Sequence, residues 1–155
     1  MKKFSFSLAR MLNYQEQILE KEKGTMGRLI AERDAMEARQ RVILEQMDQI
    51  HGEMDREIQK GTTIYQINVF TAVIKSGKTQ LEELKKHILI RNSEIERQRQ
   101  VVIEASREVK KLEKLKEKQL EEYRHSEQKE QEEFISEHVS ESFARRRFQI
   151  NDLKY

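Results

Sequence analysis

The chain contains no cysteine, no proline and no tryptophan, and each absence removes a possibility. Without cysteine, disulfides and thiolate metal sites are excluded, which suits a reducing compartment. Without proline, the commonest interior helix breaker is gone, which favours helices. Aromatic residues make up 6% of the 155 residues and hydrophobic residues 36%, too little apolar volume for an ordinary globular core; the chain is either disordered or built from elongated helices that each bury a narrow stripe. Long apolar runs are missing too. The start, MKKFSFSLARML, interrupts its apolar residues with Ser and Arg and leads into no cleavage site, so neither a signal peptide nor a membrane span is expected. Charge of one sign is lacking as well: 30 Lys and Arg stand against 28 Asp and Glu, for a net charge of +2. Interspersed charge of this kind is a solvated helix surface, not the one-sided footprint of a nucleic-acid binder.

What is present is a period. From Leu8 onward, steps of three and four reach Leu8, Leu12, Gln15, Leu19, Glu22, Met26, Leu29, Arg33, Met36, Gln40, Ile43, Met47, Ile50 and Met54. Most are apolar and the register never slips, which is the seam of a left-handed coiled coil. Lys60-Gly61-Thr62-Thr63 then reads as a stop and a start: Gly61 ends one helix in the left-handed conformation, and Thr63 caps the next with Gln66 three residues on. The second arm repeats the pattern with Ile67, Ile74, Leu81, Ile88, Ile95, Val102 and Val109 a heptad apart, and Phe70, Leu84, Ala105 and Leu112 at the alternate positions.

One stretch invites another reading. The apolar run Val69 to Ile74 leads into Gly77-Lys78-Thr79, like a strand feeding a phosphate-binding loop. The full loop needs a second glycine where this chain has Ala72, and no further strands or magnesium-binding aspartate follow. The run is better explained as the opening of the second helix, with Gly77 at a seam position where a small residue lets the partner helix come close. The expected fold is therefore all-α: a long antiparallel two-helix coiled-coil hairpin, helix one about 4–60, a turn at about 61–63, and helix two about 64–148, whose C-terminal end overhangs. At about 1.5 Å per residue, an arm of roughly 55 residues spans on the order of 80 Å.

Two registers compete. A turn centred on Thr62 pairs residues whose numbers add to about 124, setting Leu29 against Ile95, Met36 against Ile88, Ile43 against Leu81 and Ile50 against Ile74. Its flaw is a layer in which Arg33 meets Arg91. A one-heptad slip, to about 131, gives both arginines a glutamine neighbour but lengthens the loop and discards the Thr63 cap. The first is preferred, since long arginines can snorkel out of a seam.

All six phenylalanines avoid the shaft: Phe4, Phe6, Phe134, Phe143 and Phe148 lie in the terminal segments and Phe70 lies near the turn. Aromatic residues at the ends of a polar shaft are candidate anchors for partners, or they pack on one another. Arg145-Arg146-Arg147 suits phosphate or an acidic surface, and equally the end of a helix dipole. His51, His87, His125 and His138 form no i,i+4 ligand pair. Gly24 and Gly27 mark a bend, a close contact or nothing special. A two-helix shaft has no concave interior in which to assemble catalytic groups, so no enzyme, cofactor or metal site is expected.

These residues in their order resemble the FliJ family of flagellar type III export: FSFSLARML at the start, the Gly61-Thr62-Thr63 turn, INVFTAVI opening the second helix, the run Val109 to Lys118, and Ala144-Arg145-Arg146-Arg147-Phe148. The resemblance covers nearly the whole chain. It implies a non-enzymatic stalk, similar to the central stalk of rotary ATP synthases, that sits in the hexameric ring of the export ATPase and promotes its assembly and activity. It also implies contact with the cytoplasmic linker of the membrane export gate and an escort role for export chaperones. The implied location is the cytoplasm, at the inner membrane beneath the flagellum, without membrane insertion. Carried over by position, Phe4, Leu8, Leu12, Phe134, Phe143 and Phe148 belong to the ATPase contact, and Phe70, Val73, Gly77 and Leu84 to the gate contact. Some relatives have an aromatic residue at the position of Val73 and a large apolar one at that of Gly77. A generic coiled-coil scaffold, or the stalk subunit of another secretion system or rotary ATPase, would share the same seam.

Overall fold

The computed structural model describes residues 2–154. Two helices make up its regular structure, α1 at Ala9–Lys60 and α2 at Ile64–Asp152, and no strand occurs among the described residues. The fold is all-α, a helical hairpin closed by an antiparallel coiled-coil seam. Both helices contribute to two compact units, one being Gln17–Ser106 and the other the chain up to Glu16 together with the chain from Arg107 onward.

Within Gln17–Ser106 the turn is made as its residues dictate. Gly61 has φ of 88°, a left-handed conformation that costs a residue with a Cβ about 1–2 kcal/mol, and its N–H donates to the Ile58 carbonyl (3.3 Å). Thr63 caps α2: its hydroxyl accepts from the Gln66 N–H (3.3 Å) and its carbonyl from the Ile67 N–H (3.2 Å). Beyond the turn the seam is covered where the heptads put it. Leu29, Ile43, Met47, Ile74, Ile95 and Ala105 are buried, while Leu19, Met36, Ile50, Leu81, Ile88 and Val102 are half-buried. Ile43, Met47 and Ile74 form one cluster with Ile50, Met54, Leu81 and Leu84 packed against it. Burying an aliphatic side chain of this size contributes about 1.5–3 kcal/mol, and one stripe of them is what holds two otherwise polar helices together.

The same unit shows its register at Gly77. A Cβ built there would lie 2.9 Å from Met47 Sδ, so the methionine rests directly on the glycine backbone, as the pairing near 124 requires and the slipped one does not. Gly24 and Gly27 face open space instead, which excludes the close-contact reading for them. The unfavourable arginine layer is relieved by nearby acids. Arg91 Nη2 lies 3.2 Å from Glu32 Oε2 across the seam and Nη1 2.6 Å from Glu94 on its own helix, and Arg33 turns to Asp34 (3.0 Å). The relief is incomplete, for Arg91 Nε is buried without a partner.

In the other unit the N-terminal boundary differs from expectation: helix one begins at Ala9, not near residue 4. The residues before it are committed to α2. Phe6 is buried, the Phe4 ring packs at a tilt against Tyr123 with centroids 5.5 Å apart, and the Tyr123 hydroxyl donates to the Lys2 carbonyl (2.7 Å). The Ala9 N–H closes a turn onto the Phe6 carbonyl (3.2 Å), and the helix follows. Leu12 and Val109 are buried in this unit, with Leu8 and Leu112 half-buried. At the far end α2 runs past the expected limit near 148 to Asp152, because after Gly77 the chain contains neither glycine nor proline to stop it.

Candidate interaction surfaces

Continuing the three-four spacing from Leu112 lands on Lys116, Gln119, Tyr123, Ser126, Glu130, Glu133 and Glu137. After Tyr123 the seam has no apolar residue until Ala144, and from Gln128 to Lys154 every residue is exposed. The apolar residues of this tail sit on other faces of the helix. Ile135, Val139 and Phe143 follow one another at steps of four and so share one side; Phe134 and Phe148, two heptads apart, share another. Phe143, Ala144 and Phe148 line a shallow groove with Ser140, Arg147 and Asn151, and Phe134 and Ile135 line a second with Gln131. Phe148 is 74% exposed and Phe134 70%. Of the three arginines beside them, Arg145 approaches Glu141 only at 4.0 Å and stays in solvent.

The structure divides the residues assigned to an ATPase contact. Phe134, Phe143 and Phe148 are open to a partner. Phe4 is half-buried against Tyr123, Leu8 is half-buried and Leu12 is buried, because these three supply the packing that ties α1 and the segment before it to α2. The gate set divides in the same way. Val73 is 44% exposed, whereas Phe70 and Leu84 are half-buried seam residues and Gly77 lies beneath Met47. Val73 and Gly77 do share a groove with Met47, Ile50 and Gln80, so the glycine contributes by the space it leaves.

Other residues of these surfaces are not singled out by sequence. Ile64 and Tyr65, on the first turn of α2, are strongly exposed, as is Ile150 on the tail. Tyr123 was detectable, since it falls on the continued seam spacing from Leu112; its hydrogen bond to the Lys2 carbonyl was not, because it depends on an N-terminal segment that leaves the helical path.

Two helices that bury one narrow stripe between them, and display their remaining large apolar side chains on helical faces, define an antiparallel coiled-coil hairpin protein. The family model described as Flagellar FliJ protein matches residues 4–148, nearly the whole chain. The chain belongs to the FliJ family and is thereby a component of the flagellar export system. Neither a curated protein nor a solved structure matches it. No helix among the described residues is long and apolar enough to cross a membrane.

Proposed function

We propose that this chain is a non-enzymatic stalk that seats the tail of α2 in the hexameric ring of the flagellar export ATPase and promotes its assembly and hydrolysis. The observation that carries the reading is the set of exposed aromatic residues, Phe134, Phe143 and Phe148, on two sides of a helix stretch in which every residue is exposed. Aromatic side chains, phenylalanine among them, are enriched at protein interfaces relative to the rest of the surface. Phe4, Leu8 and Leu12 support the seat from within, by holding the start of the chain against α2. At the turn, Val73 and the groove over Gly77 are the surface for the cytoplasmic linker of the membrane export gate, with Phe70 and Leu84 beneath it. The protein acts in the cytoplasm at the inner membrane under the flagellum, and escorting export chaperones is compatible with the same exposed tail.

The test is the hydrolysis rate and hexamer content of the cognate export ATPase, with and without stoichiometric amounts of this chain. The reading expects both to rise, and the rise to vanish when Phe143 and Phe148 become alanine. No change at any concentration leaves a generic coiled-coil scaffold as the better account.

A further inference from the structure

The seam of Gln17–Ser106 contains polar residues where a coiled coil normally places aliphatic ones, and they are matched across the helices. Glu22 and Gln98 occupy seam positions and both are half-buried. Gln98 Nε2 donates to Glu22 Oε2 (2.5 Å) and to the Glu22 carbonyl (3.0 Å). Further along α1, Glu32 Oε2 forms an ion pair with Arg91 Nη2 at 3.2 Å, and Glu94 accepts a hydrogen bond from Nη1 of the same guanidinium.

The aliphatic layers do not by themselves choose a register. A slip of one heptad, about 10 Å along the helix axis, sets Leu29 against Val102, Met36 against Ile95, Ile43 against Ile88 and Ile50 against Leu81, all still apolar. It also parts Arg33 from Arg91 and gives each a glutamine, Gln98 and Gln40. What the slip destroys is polar: Gln98 would move a heptad away from Glu22 and leave Ala105 in its place, and a carboxylate left half-buried without its partner is strongly disfavoured. Polar seam residues lower stability relative to aliphatic ones while fixing alignment. The unpartnered Arg91 Nε is a sign of that cost.

We propose that the Glu22–Gln98 and Glu32–Arg91 pairs are a register lock, which holds the two helices against a seven-residue slide so that a displacement at the turn is passed along the hairpin instead of being absorbed by sliding. The inference stands on the seam alone and is independent of which partner binds either end.

Because the chain has no cysteine, engineered thiol pairs report register without background. Met36→Cys with Ile88→Cys reads the observed register and Met36→Cys with Ile95→Cys the slipped one, each bridged by a short bismaleimide in the full chain. With the lock intact, the first pair crosslinks and the second does not. Adding Glu22→Leu and Glu32→Gln raises the slipped crosslink relative to the observed one by about tenfold, equivalent to about 1.4 kcal/mol of lost register preference, while the melting temperature holds or rises. Glu22→Gln, which keeps an acceptor for Gln98, keeps the original crosslink ratio. An unchanged ratio in the Glu22→Leu, Glu32→Gln background overturns the lock, and a lowered melting temperature with that unchanged ratio shows that the pairs merely stabilise. Equal formation of both crosslinks in the intact chain overturns it as well.

Discussion

The two stretches of α2 make opposite use of their apolar residues. From Ile67 to Leu112 those at heptad positions are buried or half-buried, while Leu89 and Ile90, off the seam, are exposed; from Gln128 to Asp152 the apolar residues are as large or larger, yet all exposed. The difference lies in phase more than in amount. In the first stretch, Ile67, Ile74, Leu81, Ile88 and Ile95 hold one line a heptad apart. In the second that line passes through Glu130 and Glu137, and the alternate one from Leu112 through Glu133 and Ser140, and the phenylalanines fall beside them. An apolar residue belongs to the core of a coiled coil only if it keeps the register of its partner. One that departs from it is either incidental or a surface for something else.

The comparison breaks most visibly at the tail. Changing Phe143 and Phe148 to alanine is expected to abolish stimulation of the export ATPase while moving the urea unfolding free energy by less than about 0.5 kcal/mol, as for exposed substitutions generally. The reverse holds in the seam. Ile95, 3% exposed, is expected to cost about 2–5 kcal/mol when cut to alanine, measured by urea denaturation, whereas Val139→Ala on the tail should leave the same curve unmoved. A destabilisation by Val139→Ala as large as that by Ile95→Ala would mean that the tail is covered in solution.

The turn offers a smaller effect. Gly61→Ala places a Cβ at φ of 88° and should lower stability by about 1–2 kcal/mol, and Thr63→Ala removes the hydroxyl that accepts from Gln66 at a cost of about 1 kcal/mol. Thermal unfolding followed by circular dichroism resolves both. The smallest effect is expected at Gly77→Ala. Its Cβ would displace only the flexible end of Met47, and the gain of about 1 kcal/mol in helix propensity offsets that, so the melting temperature should barely change. A large loss there would mean that Met47 cannot move aside, and that the helices meet more rigidly at Gly77 than a thioether contact implies.

How much of this could be read from the amino acids alone follows from the range of each interaction. The seam was legible because a heptad repeat is local and redundant: Ile43, Met47 and Ile74 lie where the spacing puts them. The turn was legible because Gly61 and Thr63 each have a specific backbone role. The register near 124 was legible in outline, as a choice between two. What settled it physically, Glu22 with Gln98 and Glu32 with Arg91, was not read, because side-chain reach across a seam is not encoded in the period. The departure of residues 2–6 from helix was hidden for a similar reason, since it depends on Tyr123, far along the chain. Among the proposed contact residues, sequence distinguished apolar from polar but not exposed from buried, so Leu12 and Phe143 were grouped together although one lies in the core and the other in solvent.

The most direct test of the central claim, that the exposed tail of α2 is the surface a partner covers while the seam is already complete, is amide hydrogen exchange on the full chain with and without the cognate export ATPase. The account predicts that amides from about Gln128 to Asp152 exchange quickly in the free chain and slow markedly in the complex, with Gln17–Ser106 unchanged. Stimulated hydrolysis without protection of the tail, or protection appearing first in the seam, would contradict it.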